Sequence, residues 1–487
     1  MVNQKVEVLP GVADFLKGTK KLFIGGKWVE ALSGRTFETL NPSTGEVLAT
    51  VSEAGAEDVH AAVEAARRAF DDGPWARMDA SDRSRLIYKL ADLIEEHKEE
   101  LAQLETLDNG KPIRETRGSD IPLTIEQFRY YAGWTTKLVG QTIPVSGPYF
   151  NYTLHEPVGV VGQIIPWNFP LMMVSWKVAP ALATGCTVVL KPAEQTPLSA
   201  LYFAQLVERA GFPEGVINIV PGFGDVAGNA LVKHPKVDKI AFTGSTAVGK
   251  AIMKEAAQTM KRVTLELGGK SPNIVLPDAD LSKAAPGVFN GIMANQGEVC
   301  CAGSRVFIQK KSFDNVVSDL VSYAQNVKQG NGLQDDIDMG PLVSKKQQER
   351  VVRYIHKGNE EGAKLLTGGN YTEKGYFVEP TVFVDVNDHM TIAREEIFGP
   401  VVVAMPFESL DDVIERANNS PYGLAAGVWT ENVKNAHYIA SRLKAGTVWV
   451  NCYNVTDPAS PFGGYKQSGF GREMGSYALE NYTEVKS

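Results

Sequence analysis

The sequence predicts an α/β protein built on two parallel sheets, with a small extra β element. Three observations carry this. Val- and Ile-rich runs alternate with helical segments through residues 158–268. The same alternation restarts after Gly268-Gly269. A stretch between the early helices and the first sheet alternates apolar and polar residues and fits neither core. Composition agrees: 487 residues, 44% apolar and 22% charged, with 46 Gly and 26 Pro, suit two to four folded domains and exclude collagen-like or disordered chains.

In chain order, K-L-F-I-G-G-K-W-V at 21–29 reads as two short strands around a glycine turn. Val59, Ala62, Val63, Ala66 and Phe70 recur at helix spacing, and one helical run is expected over about Arg83–Leu104. It stops before Asn109-Gly110-Lys111-Pro112. Strands are expected at Val158–Ile165, Thr187–Leu190, Val216–Val220, Ile240–Phe242 and Val263–Leu267, with helices such as Leu198–Arg209 and Ala247–Ala257 between them. Strand–helix–strand repetition argues for crossovers and a sheet covered on both faces. The second unit is expected to use 271–276, 306–308, 363–366, 401–405 and 446–451 as strands. Residues 138–157 read as a projecting hairpin suited to subunit association. The expected division is 1–137 with 158–268, 269–473, and a small element from 138–157 with 474–487.

Several function classes are disfavoured. A formal charge of −8 with scattered Lys and Arg gives no footprint for nucleic acid. Val158–Leu190 carries one charge, Lys177, but Pro166, Pro170 and Pro180 interrupt it, so a buried strand and helix are expected rather than a membrane span. The stretch M-V-N-Q-K-V-E-V-L-P lacks signal- or transit-peptide features, and four cysteines are too few for a disulfide framework. A cytoplasmic setting is expected. No His occurs in a zinc-ligand spacing, so no metal is expected.

Parallel sheets bind ligands at the carboxyl ends of their strands, so chemistry is sought there. Cys186 and Cys452 lie in apolar strand contexts and read as core. The pair Cys300-Cys301, in N-Q-G-E-V-C-C-A-G-S-R, sits in a glycine-flanked polar loop where a thiolate can meet a ligand. With no His nearby it needs another activator. P-G-F-G-D-V-A-G at 221–228 approximates a dinucleotide fingerprint, but its third glycine is one residue late, which favours a tight turn. Ser245, in F-T-G-S-T, reads either as a phosphate contact at a helix amino terminus or as a plain cap. Glu266 ends a strand beside two glycines, as a general base or as a solvated glutamate. Asn168, in P-W-N-F-P, is a buried amide that needs a structural or catalytic task.

Together and in this order, these motifs make the chain resemble the aldehyde dehydrogenase superfamily in its non-acylating, NAD(P)-dependent branch. P-S-T-G-E at 42–46, K-P-A-E-Q-T-P at 191–197, L-E-L-G-G-K, G-E-V-C, E-E-I-F-G-P at 395–400 and G-G-Y-K-Q-S-G-F-G-R-E at 463–473 extend the match over nearly the whole length. The resemblance implies a Rossmann-like cofactor domain, a second α/β catalytic domain and a small β oligomerisation element. It makes Cys300 the nucleophile, Glu266 the general base and Asn168 the oxyanion donor. It places Lys191 and Glu194 at the adenosine ribose, Trp167 and Ser245 at the pyrophosphate, and Glu396 and Phe398 at the nicotinamide ribose. Ile165, Gly224, Gly244, Gly249, Leu267 and Gln347 complete the implied cofactor set. Lys177 and Glu473 match proton-relay positions.

The implied reaction oxidises an aldehyde with water to a carboxylate and reduces NAD+, through a thiohemiacetal and a thioester on Cys300. Glu266 favours hydrolysis over transfer to coenzyme A, and Glu194 favours NAD because a carboxylate repels a 2′-phosphate. Use of NADP stays open. The implied aldehyde pocket is Leu123, Phe169, Met173, Trp176, Val299, Cys301, Thr456 and Phe462, mostly apolar and without a cation. Broad aliphatic or aromatic aldehydes are expected, and a quaternary ammonium substrate such as betaine aldehyde is the alternative. Alternatives of another class are a cofactor-independent thiol esterase and a catalytically silent structural protein. A homotetramer or dimer is implied, and relatives usually continue beyond Ser487 into a strand used in oligomer contacts.

Overall fold

The computed structural model describes residues 7–487, so residues 1–6 of the amino-terminal stretch read above for a leader lie outside them. The first sheet has eight strands in the order Lys27–Val29, Leu22–Ile24, Ile217–Ile219, Thr187–Lys191, Val160–Ile164, Lys239–Thr243, Arg262–Glu266, Gly469–Phe470. The five central strands are parallel, and the flanking strands are antiparallel. Val160 and Val189 face one hydrophobic cluster while Val161, Val188 and Leu190 face another, so both faces are covered. That explains the unbroken apolar runs in these strands. Helix Pro170–Thr184 is buried along its whole length, including Lys177, and packs on the larger cluster. No helix of the described residues is long and apolar enough to cross a membrane.

The second sheet has seven strands in the order Lys364–Thr367, Thr381–Val384, Val401–Phe407, Arg305–Gln309, Pro272–Val275, Ala425–Trp429, Thr447–Val450. Only its outermost pair, Lys364–Thr367 with Thr381–Val384, is antiparallel. Strands Thr381–Val384 and Ala425–Trp429 were not anticipated. The first hides behind Pro380, and the second, A-A-G-V-W, is rich in small residues of low strand propensity.

The projecting element consists of Thr142–Ile143 paired with Asn151–Tyr152, and of Leu154–Pro157 paired antiparallel with Thr483–Lys486. Tyr149 and Phe150 at its tip are exposed. The carboxyl-terminal stretch is not confined to that element, because Leu479 and Tyr482 are buried in the larger core cluster. Gly469–Phe470 likewise pairs with the first sheet although it lies in the stretch assigned to the second unit.

Two expectations need correction. The single helix over Arg83–Leu104 is two, Ala80–Glu96 and Lys98–Asn109. The chain turns at His97, whose Nδ1 bonds the Tyr202 hydroxyl at 3.1 Å, a long-range contact that no local pattern signals. Cys452 is only half-buried, just beyond the strand Thr447–Val450, and packs against the larger core cluster from its edge rather than inside it.

Candidate active site

The carboxyl ends of the first sheet's strands, and the segments that lead into strands of the second sheet and carry Gly268, Cys300, Glu396 and Phe398, border one cavity of about 810 Å³. Asn168, Glu266 and Cys300 all line it. Glu266 is the last residue of strand Arg262–Glu266, and both of its carboxyl oxygens are buried without a hydrogen-bond partner. Burial first, and then the negative charge of Glu473, hold its pKa well above the carboxylate range. A proton acceptor with no fixed partner is free to bond a thiol or a water.

Cys300 ends a backbone that no regular element would produce. Asn295, Gln296 and Gly297 have φ of 45°, 55° and 73°, in the left-handed region that only glycine enters without strain. Side chains and backbone contacts fix this path. Glu115 Oε2 accepts from the Asn295 backbone N–H at 2.9 Å, and Glu298 Oε1 accepts from the Val343 N–H at 3.1 Å. A Cβ on Gly297 would lie 2.2 Å from the Gly399 carbonyl oxygen. The half-buried Cys300 thiol is pushed well up, first by its bond to the Cys301 side chain and then by burial. Its reaction as a thiolate therefore needs a base. Asn168 Nδ2 donates to the Glu298 carbonyl at 2.8 Å, which uses one of its two N–H bonds.

Of the residues expected at a cofactor, Trp167, Gly244, Ser245, Leu267, Gln347, Glu396 and Phe398 line the cavity. Trp167 and Phe398 meet edge to face with centroids 5.2 Å apart. Ser245 caps helix Thr246–Ala256, its hydroxyl accepting from the Val248 N–H at 3.3 Å, so the plain capping role is present. Thr243 Oγ1, in the same wall, is buried without a partner. Glu396 Oε1 accepts from the Gly269 N–H at 2.9 Å, and burial raises its pKa to about 7. A Cβ on Gly268 would meet Glu396 Oε2 at 2.3 Å, so only glycine lets that carboxyl lie there.

Ile165, Lys191, Glu194, Gly224 and Gly249 do not line this cavity. Lys191 Nζ donates to the carbonyls of Pro192 and Gly222 at 2.8 and 2.7 Å and stands 3.6 Å from Glu194. Ile165, Lys191 and Glu194 sit farther along the carboxyl edge of the first sheet, and Gly249 lies inside helix Thr246–Ala256 against Leu267. Gly224 opens a wide helical turn, Gly224–Gly228, that runs on into helix Asn229–Lys233 in place of the expected tight turn. Lys177 and Glu473 also lie behind the cavity wall, as a buried pair at 2.6 Å with Glu473 Oε2 unpartnered.

Leu123, Phe169, Met173, Trp176, Val299, Cys301, Thr456 and Phe462 all line the cavity. The wall also holds polar groups that sequence reasoning missed, among them Glu115, Ser119, Asp120, Asn290 and Asn454. They come from segments with no motif, and the nearness of Asn454 to Thr456 is the one signal that could have found any of them. Two cations border the cavity as well. Arg114 is paired with Asp338 at 3.0 Å, and Arg350 donates to the carbonyls of Glu396 and Ile397. Elsewhere, His60, Glu64 and His234 come together although no spacing marked them. Their ligand atoms are already engaged: His234 Nδ1 accepts from the Lys236 N–H, its Nε2 lies 2.9 Å from His60 Nδ1, and Glu64 pairs with Lys236.

Comparison with known proteins agrees with this geometry. The profile described as "Aldehyde dehydrogenase family" matches residues 28–487. DhaS of Bacillus subtilis, named as a candidate aldehyde dehydrogenase, is 69% identical over 100% of this chain and 99% of its own. The NAD+ complex of an aldehyde dehydrogenase from Bacillus cereus superposes with a TM-score of 0.98 at 64% identity, covering 99% of both chains. A betaine aldehyde dehydrogenase from Staphylococcus aureus, also solved with NAD+, gives 0.95 at 41% identity, covering 98% of this chain and 96% of that one. The chain belongs to the aldehyde dehydrogenase family and is an oxidoreductase of that class.

Proposed function

We propose that the protein oxidises neutral aliphatic or aromatic aldehydes to carboxylates with NAD+ and water. The observation that carries this is the meeting of Cys300, Glu266 and Asn168 in one cavity, with the Glu266 carboxyl buried and unpartnered. The neighbouring wall fits the nicotinamide dinucleotide. The amino terminus of helix Thr246–Ala256 suits a pyrophosphate, and Trp167, Glu396 and Phe398 suit the nicotinamide ribose. When bound, the oxidised nicotinamide supplies the hydride acceptor.

The protein's own groups do the remaining work. Glu266 takes the Cys300 proton, and the thiolate attacks the aldehyde carbon. The free Asn168 N–H and the Cys300 backbone N–H stabilise the alkoxide, each by about 2.7–4 kcal/mol in comparable sites. The adduct loses its hydride and becomes a thioester on Cys300. Glu266 gives up that first proton to solvent, then accepts one from the water that hydrolyses the thioester and passes it to the departing sulfur, releasing the acid and the thiol. The buried Lys177–Glu473 pair acts on Glu266 through its charges, Glu473 raising and Lys177 lowering its pKa.

Neutral substrates are supported by the cavity's cations, Arg114 and Arg350, both already engaged. Lys191 and Glu194 suit an adenosine ribose and disfavour a 2′-phosphate, which supports NAD over NADP. A second reading, a quaternary ammonium aldehyde, is favoured by Trp176 and Phe462, whose rings pack 5.3 Å apart in the wall. The exposed Tyr149 and Phe150 support pairing of copies through the projecting element, and four free cysteines suit the cytoplasm. A rate panel tests the substrate and cofactor readings. Propanal, benzaldehyde and betaine aldehyde are compared with NAD+ and NADP+, and Cys300→Ala is the control. Reduced cofactor fastest with NAD+ and neutral aldehydes supports the proposal, and a signal unchanged in Cys300→Ala sinks it.

A further inference from the structure

The amide expected to hold the alkoxide is itself held from behind by a buried cation that the reaction scheme does not use. Lys111 follows helix Lys98–Asn109, where Gly110 at φ 96° turns the chain inward. Its side chain has no exposed surface. Nζ donates to Asp120 Oδ2 at 2.5 Å and to the Asn168 carbonyl at 2.8 Å. It also stands 4.1 Å from the Phe169 ring centroid and 3.9 Å from Glu105 Oε1.

The Asn168 carbonyl accepts a second bond, from Asn295 Nδ2, also at 2.8 Å. The preceding carbonyl, of Trp167, accepts from Asn109 Nδ2 at 2.9 Å. The backbone of residue 168 is therefore tied down by Lys111 and Asn295, and its side chain by the Glu298 carbonyl. A buried ion pair is a poor device for stability alone, because well-packed apolar groups often do as well. A cation bonded to the main chain of the donor residue does more. It fixes the amide's position, because its bond to the Asn168 carbonyl restrains the peptide from which that side chain projects.

We propose that Lys111, together with Asn295, is a positioning residue for the Asn168 amide, clamping its carbonyl so that the free N–H points at the reacting oxygen. This rests on the reading of Asn168 as the oxyanion donor. It is a different claim from Lys111 merely neutralising Asp120, since that role would not pass through Asn168.

The test is a double-mutant cycle on the full-length protein. Lys111→Met and Asn295→Gly are made alone and in Asn168→Ala; glycine at 295 keeps the left-handed backbone while deleting the amide. Reduced-cofactor formation is followed in a single turnover with NAD+ and propanal, alongside the Kd for NAD+ and the thermal midpoint. Asn168→Ala is expected to slow the turnover by about 10²–10³-fold. Each clamp variant is expected to slow it on the order of 10²-fold, as small misplacements of reacting groups do, with the Kd for NAD+ unchanged. In Asn168→Ala each should cost less than about threefold more, because the amide they position is gone. Equal losses in both backgrounds, or no loss from Asn295→Gly, overturn the clamp. Should Lys111→Met not fold, Asn295→Gly decides the matter by the same criterion. A normal rate in Asn168→Ala would instead overturn the oxyanion reading beneath it.

Discussion

Replacing Glu266 by Gln changes one oxygen to an NH₂ in a site with no hydrogen-bond partner to lose. A Cβ on Gly463 would stand 2.8 Å from Glu266 Oε1, so the pocket is already shaped closely around this side chain, and the near-isosteric amide fits it. The proton acceptor disappears, and such a group contributes about 10²–10⁴-fold. The kcat at pH 8 should fall by that factor while the Kd for NAD+ stays within about threefold. Stability should move the other way. Burial holds the folded pKa above its unfolded value, so the neutral carboxyl's contribution is full below the ordinary carboxylate range. It is lost as pH rises through the folded pKa, because the unfolded chain gains by ionising. Glutamine cannot ionise. Glu266→Gln should therefore melt above the parent at pH 8, and the gap should close near pH 4. Steady-state turnover and thermal scans at both pH values provide the assay. A kcat within threefold of the parent, or a lower midpoint at pH 8, would refute the reasoning.

Three further outcomes are expected. With the Glu396 carboxyl raised to about 7, NAD+ binding should tighten as pH rises through that value, because the ionised form accepts from ribose hydroxyls. Glu396→Gln should bind more weakly and lose the pH dependence in titrations from pH 6 to 8. Lys177→Met leaves Glu473 buried without its cation and should cost about 3–5 kcal/mol in urea unfolding. Gly297→Ala adds a Cβ 2.2 Å from a carbonyl oxygen at φ 73°, and should cost about 1–3 kcal/mol from backbone strain alone. It should also slow the Cys300-dependent turnover by displacing the loop, as single-turnover rates would show.

Legibility in the sequence followed the range of the interactions. The central strands, such as Thr187–Lys191, were readable because burial on both faces makes each run apolar throughout. Asn168, Glu266 and the pair Cys300-Cys301 stood out as polar groups at strand or loop ends, the family resemblance alone chose Cys300 and the roles, and the cavity brings the three together. The helix break at His97 was not readable, because its partner Tyr202 lies 105 residues away. The left-handed path through Asn295 and Gln296 was hidden for the same reason, since Glu115, 180 residues distant, holds it. Lys111 looked like part of a stop signal, and only the tertiary fold places its ammonium against Asn168.

The most direct test of the central claim is peptide mass mapping of the protein quenched in acid during turnover with NAD+ and propanal. A propanoyl group on the peptide containing Cys300, absent without NAD+ and absent in Cys300→Ala, is the predicted result. Reduced cofactor formed with Cys300 unmodified in the parent and at full rate in Cys300→Ala would contradict it.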